Sequence, residues 1–354
     1  MKRGGLLLAL FSLLLAAPAA AQAPLPVHVG GRAVPDAGGA WRFGWPGLYF
    51  EGRFSGTSVA VGVDSATEHF RVLVDGAEHA ILTAPGTVRL VIDGLAPGPH
   101  VVRLEKQTES QEGSARFLGI WPGAGATALP PVSRARRIEF IGDSNTVGYG
   151  NASHERTCTR EQVHDLTDTS RAFGPLVAAR LDADYRIIAY SGFGIVRNYA
   201  GSAPDRSLPI IYGRAIPAEP AEAAANDGWR PQLIVIALGA NDFSTPLHAG
   251  ERWADDAGLR ADYRARYVEF VRMLRTRQPQ ARFLLVAHES FAPEVEQVAA
   301  TLNGDRRAPV ATLHYGALER TGCDWHPSFA DHRALAALVL AAVGRIDGLW
   351  RQEE

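Results

Sequence analysis

The stretch Ile138-Glu139-Phe140-Ile141-Gly142-Asp143-Ser144-Asn145-Thr146 carries the strongest signal for fold and chemistry in this chain. It is an apolar run that ends in a glycine turn with a serine at its exit. Near the C-terminus, Asp324-Trp325-His326-Pro327 supplies an imidazole and a carboxylate. A serine hydroxyl becomes a nucleophile only when a base removes its proton and a third group fixes the tautomer of that base. Because the chain holds candidates for all three groups, the pattern predicts hydrolysis of an ester.

From residue 138 onwards, continuous apolar segments alternate with helical ones. The predicted strands are 138–141, 185–190, 233–238 and 283–287, and the predicted helices are 171–181, 263–277 and 329–346. This alternation predicts a three-layer α/β/α domain in which helices cover both faces of a parallel sheet. Working sites in such sheets lie at the carboxyl ends of the strands. Ser144, Gly192 and Asn241 each follow a predicted strand, so we expect them to meet at one edge.

Residues 24–121 have a different pattern, in which short alternating strands are separated by frequent turns. Segments 57–63, 70–74 and 101–104 are strand-like, and Asp75-Gly76 is a strong signal for a two-residue hairpin turn. Together they predict an N-terminal antiparallel β-sandwich. Residues 122–137 are rich in Gly, Ala and Pro and are predicted to form a linker or a crossing over the surface, so that the second domain spans 138–354.

Residues 1–21 have the pattern of a secretory signal peptide. Lys2 and Arg3 precede an apolar stretch, residues 6–17, and small residues follow at Ala19-Ala20-Ala21. The apolar stretch is too short to be a convincing membrane span. We therefore expect cleavage after Ala21 and export to the periplasm or the exterior. No later segment is long and apolar enough to cross a bilayer, so no membrane partner is expected.

Charge, cysteine content and missing motifs exclude several classes of function. The chain has 36 basic and 38 acidic residues, which gives no electrostatic reason to expect nucleic acid or anionic lipid as a partner. It contains no His-Glu-x-x-His and no paired Cys-x-x-Cys, so no metal and no cofactor are expected. Its two cysteines, Cys158 and Cys323, can form a disulfide in an oxidising compartment. That bridge would tie together the loops that carry the candidate serine and histidine.

The candidate catalytic residues have complementary chemistry. Ser144 is the predicted nucleophile and His326 the predicted base. If the chain is extended there, Asp324 projects to the same side as His326 and can accept a hydrogen bond from its Nδ1. A solvated loop acid is the competing interpretation of Asp324. For the oxyanion we expect three donors: the Asn241 side-chain amide and the backbone N–H groups of Gly192 and Ser144.

These motifs resemble those of a known family. The four blocks of the SGNH (GDSL-type) hydrolases are matched in order by Gly142-Asp143-Ser144, Ser191-Gly192, Gly239-Ala240-Asn241-Asp242 and Asp324-Trp325-His326-Pro327. In the first domain, residues 102–109 and 74–76 resemble the jelly-roll domain of carbohydrate esterase family two. Residues 192–199 and 241–243 fit that family too, and the resemblance covers nearly the whole chain after the signal peptide.

The resemblance implies a secreted esterase that removes acetyl groups from plant polysaccharides such as xylan or glucomannan, without a cofactor. It implies Ser144 as nucleophile, His326 as base, and Gly192 and Asn241 as oxyanion donors. The sequence departs from the superfamily pattern at the acid, because Asp324 lies two residues before the histidine rather than three. Some members of the family resemble dyads in which a backbone carbonyl orients the histidine, and both arrangements stay open at this point.

Three other functions fit parts of the pattern. Within enzymes, the alternatives are a lipid esterase or thioesterase of the same superfamily and a deacetylase of bacterial cell-wall sugars. Outside enzymes, the alternative is a carbohydrate-binding protein whose hydrolase site is inactive. The expected partner is an acetylated polysaccharide or oligosaccharide, and the chain is expected to be a monomer. The intact set of four blocks favours the acetyl esterase.

Overall fold

Two antiparallel sheets form the first part of the chain in a computed structural model that describes residues 23–111, 113–224, 228–305 and 307–350. The predicted signal peptide, residues 1–21, lies outside these described ranges. One sheet runs in the order β1-β4-β9-β6-β7, with β11 paired to β4, and the other runs β2-β3-β10-β5-β8. The strands are β1 (Val27–Gly30), β2 (Ala33–Pro35), β3 (Trp41–Phe43), β4 (Tyr49–Ser55), β5 (Val59–Ser65), β6 (His69–Val74), β7 (Ala77–Thr83), β8 (Gly86–Ile92), β9 (Pro99–Lys106), β10 (Ala115–Pro122) and β11 (Thr127–Leu129).

The two sheets share a buried aromatic core. Phe50 from one sheet stacks on Phe117 from the other, with ring centroids 3.9 Å apart, and Phe43 and Phe70 pack beside them. Alternating strand residues point to this core, as the period of two in the sequence requires. The predicted antiparallel β-sandwich is confirmed. The hairpin signal is also confirmed, since Asp75-Gly76 has positive φ at both residues and joins β6 to β7.

The stretch predicted as a linker, residues 122–137, is not a free connection. The strand β10 ends at Pro122, and β11 pairs antiparallel with residues 53–55 of β4, beyond the part of β4 that pairs with β1. The next strand already begins at Arg136. Gly, Ala and Pro signal turns in a sequence, but they do not prevent three residues between two turns from hydrogen-bonding to an exposed strand edge. The stretch therefore contributes a short strand to the first sheet, and the predicted division into two domains with a connection over residues 122–137 stays a prediction.

The second part of the chain is built on a five-stranded parallel sheet in the order β13-β12-β14-β15-β16. Its strands are β12 (Arg136–Gly142), β13 (Ala183–Ala189), β14 (Leu233–Ala237), β15 (Arg282–His288) and β16 (Val310–Tyr315). Its helices are α1 (Ser144–Val147), α2 (Arg160–Asp165), α3 (Phe173–Arg180), α4 (Leu208–Ile211), α5 (Ala240–Phe243), α6 (Asp256–Arg277), α7 (Ala292–Asn303) and α8 (Phe329–Val343). The predicted parallel sheet with flanking helices is confirmed.

The sheet order decides where the functional residues meet. The first strand of the sheet, β12, lies between β13 and β14, so the chain leaves it toward one side and later returns to the other. Ligands bind at such a switch point, beyond the carboxyl ends of the strands. Ser144 follows β12, Gly192 follows β13, and Asn241 follows β14. Within the described ranges, no helix has the length and apolar character needed to span a membrane.

Buried contacts join the sandwich to the α/β domain. Tyr49 of β4 packs in the core of the parallel sheet, and its hydroxyl donates to Asp184 at 2.8 Å. Arg71 of β6 pairs with the buried Asp168 at 2.6 Å. Arg134, just before β12, donates to Glu51 of β4 at 2.9 Å. These buried polar pairs fix the orientation of one domain on the other, and they bring the loop after β9 to the carboxyl edge of the parallel sheet.

Candidate active site

Ser144 is the first residue of α1, directly after the short turn that follows β12, and its side chain is fixed in place but still partly accessible. The side chain of Asp143 caps the helix by accepting from the Asn145 N–H at 2.9 Å. A Cβ atom at Gly142 would lie 1.9 Å from Thr146 Oγ1, so only glycine fits this turn. Ser144 keeps 6% of its surface exposed. The serine therefore faces the carboxyl edge of the sheet with little freedom to move.

His326 meets Ser144, as the sequence predicts. Its Nε2 atom lies 2.8 Å from Ser144 Oγ, and its Nδ1 lies 3.0 Å from the backbone carbonyl oxygen of Cys323. Because a carbonyl can only accept, Nδ1 carries the proton and Nε2 presents a lone pair to the serine. Burial lowers the pKa of His326, which keeps the ring neutral at neutral pH. This is the geometry of a serine hydroxyl paired with a base.

The loop that carries His326 is fixed at both ends. A capping box of Ser328 and Asp331 starts α8 directly after it. On the other side, the predicted disulfide between Cys158 and Cys323 is formed. The Cys323 N–H also donates to the Gly150 carbonyl at 3.2 Å. The bridge therefore joins the loop after Ser144 to the residue whose carbonyl orients the histidine.

Asp324 does not contact His326 through Nδ1, and that expectation was wrong. Residues 323–325 form a 3-10 turn in which Asp324 and Trp325 have φ of 51° and 57°. In this left-handed backbone, residues two apart no longer project to the same side. The Asp324 carboxylate instead accepts from the Tyr149 hydroxyl at 3.1 Å, and the Tyr149 ring packs on His326 with centroids 4.3 Å apart.

The predicted oxyanion donors line the same edge. Gly192 has φ of 83°, a conformation that favours glycine, and its N–H has no acceptor among the described residues. The Ser144 N–H likewise has no acceptor in the described part of the chain. Asn241 is buried, and its amide donates to the Phe193 carbonyl at 2.9 Å and, with the longer distance of 3.4 Å, to Asp143 Oδ2, which fixes the direction of the amide. Free N–H groups and an oriented amide at one edge can stabilise a developing negative oxygen.

Asp242 organises the loop that carries Gly192, a role that no single sequence motif signals. Its buried carboxylate accepts from the backbone N–H groups of Ile195, Val196 and Arg197 at 3.0, 2.9 and 2.9 Å. Burial raises the pKa of Asp242 to about 6, although these three bonds favour the ionised form. Asp242 comes directly after Asn241, so one short helix start supplies both an amide donor and the group that shapes the neighbouring loop.

The sandwich domain also reaches this edge, which the sequence could not indicate. Glu109, in the loop after β9, accepts from the Ser191 N–H at 2.8 Å, and the Tyr190 hydroxyl donates to the Gln111 carbonyl at 3.1 Å. Burial raises the pKa of the Glu109 carboxyl. These contacts clamp the residues immediately before Gly192. The first domain therefore helps to position an oxyanion donor rather than acting only as a neighbour.

Comparison with known proteins agrees with this architecture. The family models "Carbohydrate esterase 2 N-terminal" and "GDSL-like Lipase/Acylhydrolase family" match residues 29–131 and 140–342. An acetylxylan esterase / glucomannan deacetylase from Cellvibrio japonicus (strain Ueda107) is 43% identical over 335 residues, which cover 92% of this chain and 93% of the relative.

Solved structures give the same result. A carbohydrate esterase whose active site has divergent catalytic and non-catalytic binding functions superposes with a TM-score of 0.88 at 41% identity, covering 93% of this chain and 100% of the other. A family two carbohydrate esterase from Clostridium thermocellum, in complex with cellohexaose, superposes with a TM-score of 0.80 at 27% identity, covering 92% and 100%. Sequence and fold agree along both domains: the chain belongs to carbohydrate esterase family 2 and is a carboxylic ester hydrolase.

Proposed function

We propose that this protein is a secreted serine esterase that removes O-acetyl groups from plant polysaccharides or their oligosaccharides, such as xylan or glucomannan. The contact of 2.8 Å between His326 Nε2 and Ser144 Oγ carries the proposal. The similarity to the Cellvibrio japonicus enzyme supports the choice of substrate. The Cys158–Cys323 disulfide supports an oxidising compartment and hence secretion. We further propose a division into a sandwich domain and an α/β domain that meet between β11 and β12.

In the proposed mechanism, Ser144 Oγ attacks the acetyl carbonyl while His326 Nε2 takes its proton. The carbonyl of Cys323 accepts from Nδ1–H and holds the ring in the required tautomer. The Asn241 amide and the N–H groups of Gly192 and Ser144 donate to the oxyanion. His326 then returns the proton to the departing sugar oxygen, which leaves an acetyl group on the serine. Water, deprotonated by the same imidazole, releases acetate and restores the enzyme.

In the proposed site, the backbone carbonyl of Cys323 orients His326 in place of the carboxylate of Asp324. A carbonyl carries only a partial negative charge, so it orients the ring but stabilises the imidazolium less than a carboxylate would. Asp324 is exposed and accepts from the Tyr149 hydroxyl, and its charge still favours the protonated ring through space. The site therefore works as a serine and histidine pair, and the oxyanion donors supply much of the transition-state stabilisation.

Acetate release from acetylated xylan oligosaccharides tests this function. We expect Ser144→Ala to lower kcat by at least about 10³-fold at an unchanged free energy of unfolding. Ser202→Ala, an exposed serine, is the matched control and should keep wild-type activity. If the Ser144→Ala enzyme folds normally and still releases acetate at the wild-type rate, the proposal is wrong.

Hydrolysis of other ester substrates separates the substrate classes. We expect nitrophenyl acetate to be hydrolysed much faster than nitrophenyl esters of longer acyl chains, because acetate release requires only a small acyl pocket. Equal or faster hydrolysis of the long-chain esters would identify a lipid esterase or thioesterase. Faster deacetylation of acetylated cell-wall muropeptides than of acetylated xylan would identify a bacterial rather than a plant polysaccharide as the substrate.

A further inference from the structure

Two histidines and an aspartate from different domains converge away from the catalytic pair. His69 begins β6 of the sandwich, whereas His164 and Asp165 end α2 of the α/β domain. One ligand atom from each side chain lies within 4.8 Å of the other two. None of the three takes part in the proposed ester hydrolysis. His69 is buried and Asp165 is exposed, so the cluster is open to solvent on one side.

The separation of His69 and Asp165 fits a bound ion better than a direct hydrogen bond. His69 Nε2 lies 3.5 Å from Asp165 Oδ1. A charge-assisted hydrogen bond between such groups has a length of about 2.7–2.9 Å. Two ligands of a tetrahedral zinc ion, each about 2.1 Å from the metal, lie about 3.4 Å apart. The pair is therefore already at the spacing that a shared ion requires.

The surroundings of His164 favour the same interpretation. Its Nε2 lies 2.9 Å from the carbonyl oxygen of Thr67, just before β6. A carbonyl accepts only from N–H, so the Nδ1 atom of the neutral ring keeps its lone pair. Metal-bound histidines in proteins use the same arrangement, in which the second ring nitrogen donates to a carbonyl or carboxylate and fixes the tautomer.

The charge at the cluster is also suitable for a cation. Glu68, next to His69, is neutralised by Lys106 at 2.7 Å. Asp165 supplies a carboxylate to the cluster, and imidazoles bind metal ions in their neutral form. Two imidazoles and one carboxylate suit zinc and related transition metals, whereas magnesium and calcium prefer oxygen ligands throughout.

We propose that His69, His164 and Asp165 bind one divalent transition-metal ion, with zinc as the expected metal and water in the remaining position. The ion would join the sandwich to α2, which begins two residues after Cys158. Because Cys158 is bonded to Cys323, the ion and the disulfide together would link the first domain to the loop that carries His326. The role is structural, since none of the three ligands contacts the catalytic pair.

Zinc titration of the full chain, prepared without a polyhistidine tag and stripped with a chelator, tests the proposal. Calorimetry should give about one bound ion per chain, and cobalt should give the intense visible absorption of a tetrahedral site. We expect His164→Gln and Asp165→Asn each to weaken zinc binding at least about tenfold. His79→Gln, at an exposed histidine of the neighbouring strand β7, is the matched control and should bind like the wild type.

The effect of zinc on the unfolding temperature gives a second readout. Zinc would not change this temperature if the three side chains formed only an ion pair. Zinc should raise the unfolding temperature of the wild type and of His79→Gln, and it should have no such effect on His164→Gln. The absence of stoichiometric binding to the wild type would overturn the proposal. Equal zinc binding by the wild type and both cluster variants would overturn it as well. These variants alter the exposed end of the cluster and leave the buried His69 in place.

Discussion

Asp242→Asn should separate the shaping of the oxyanion loop from the chemistry of the catalytic pair. In the variant one carboxylate oxygen remains and the other becomes an amide nitrogen. The remaining oxygen can keep the N–H groups of Val196 and Arg197, but the new NH₂ then faces the Ile195 N–H. A hydrogen bond to a charged group contributes about 1.5–3 kcal/mol, and a buried donor without a partner costs about 1–3 kcal/mol. Because the neutral amide also avoids the burial cost that raises the pKa of Asp242, part of this loss is offset, and we expect the free energy of unfolding to fall by about 2 kcal/mol.

The effect on catalysis follows from the position of Gly192 in the same loop. Removal of one oxyanion donor costs about 10²-fold to 10³-fold in kcat, and a displaced donor should cost roughly tenfold to a hundredfold. KM should change little, because the lost interaction forms only in the transition state.

Urea unfolding and steady-state hydrolysis of nitrophenyl acetate measure the two effects. Asp182→Asn, which makes the same chemical change at a side chain that is 93% exposed, is the control. An Asp242→Asn enzyme within about 1 kcal/mol of wild-type stability and about twofold of wild-type kcat would refute the reasoning.

Three further predictions concern the base, the bridge and the domain contact. Burial lowers the pKa of His326 below its usual 6.5. We therefore expect kcat/KM to stay constant at neutral pH and to fall only as the pH drops through a midpoint below 6.5. A pH profile in which kcat/KM already falls above pH 6.5 would contradict this. Replacing Cys158 and Cys323 by serine should lower the free energy of unfolding by up to about 5 kcal/mol, since the bridge closes a loop with a sequence separation of 165 residues. Urea unfolding of the oxidised wild type and of the double variant measures this difference. Equal stability of the two proteins would be inconsistent with a closed bridge. Glu109→Ala removes the acceptor of the Ser191 N–H and should lower kcat/KM roughly fivefold to thirtyfold. Glu109→Gln keeps an acceptor and should keep most of the activity. Identical kinetics for the two variants would argue against a positioning role of Glu109.

The sequence predicts the strands well where burial produces a recognisable pattern of apolar residues. The strands β12, β13, β14 and β15 are buried on both faces and appear as continuous apolar runs. The fifth strand, β16, lies at the edge of the sheet with most of its residues half-exposed, so it has no such run and was not predicted. The helix α7 was also missed, and α6 begins at Asp256, seven residues before its predicted start.

The catalytic pair could be predicted because its chemistry lies in side chains at strand ends. The orienting group could not, because the Cys323 carbonyl has no side-chain signature. The error at Asp324 arose from local geometry: the Asp324 N–H donates to the Arg156 carbonyl at 2.7 Å, and this distant contact accompanies the left-handed turn. Glu109 belongs to the other domain, and a single sequence carries no signal for contacts between domains. The same limit hides the cluster of His69, His164 and Asp165 from any search for contiguous metal-binding motifs.

Because the backbone carbonyl oxygen of Cys323 orients the His326 imidazole, no side-chain substitution can remove the group that orients the base. Alanine scanning cannot delete the Cys323 oxygen, since every amino acid brings the same group, and only an amide-to-ester replacement of the backbone would weaken it. The side chain at position 324 acts on the base only through space and through the Tyr149 hydroxyl, so replacing Asp324 should change the strength of the base without removing the group that orients it.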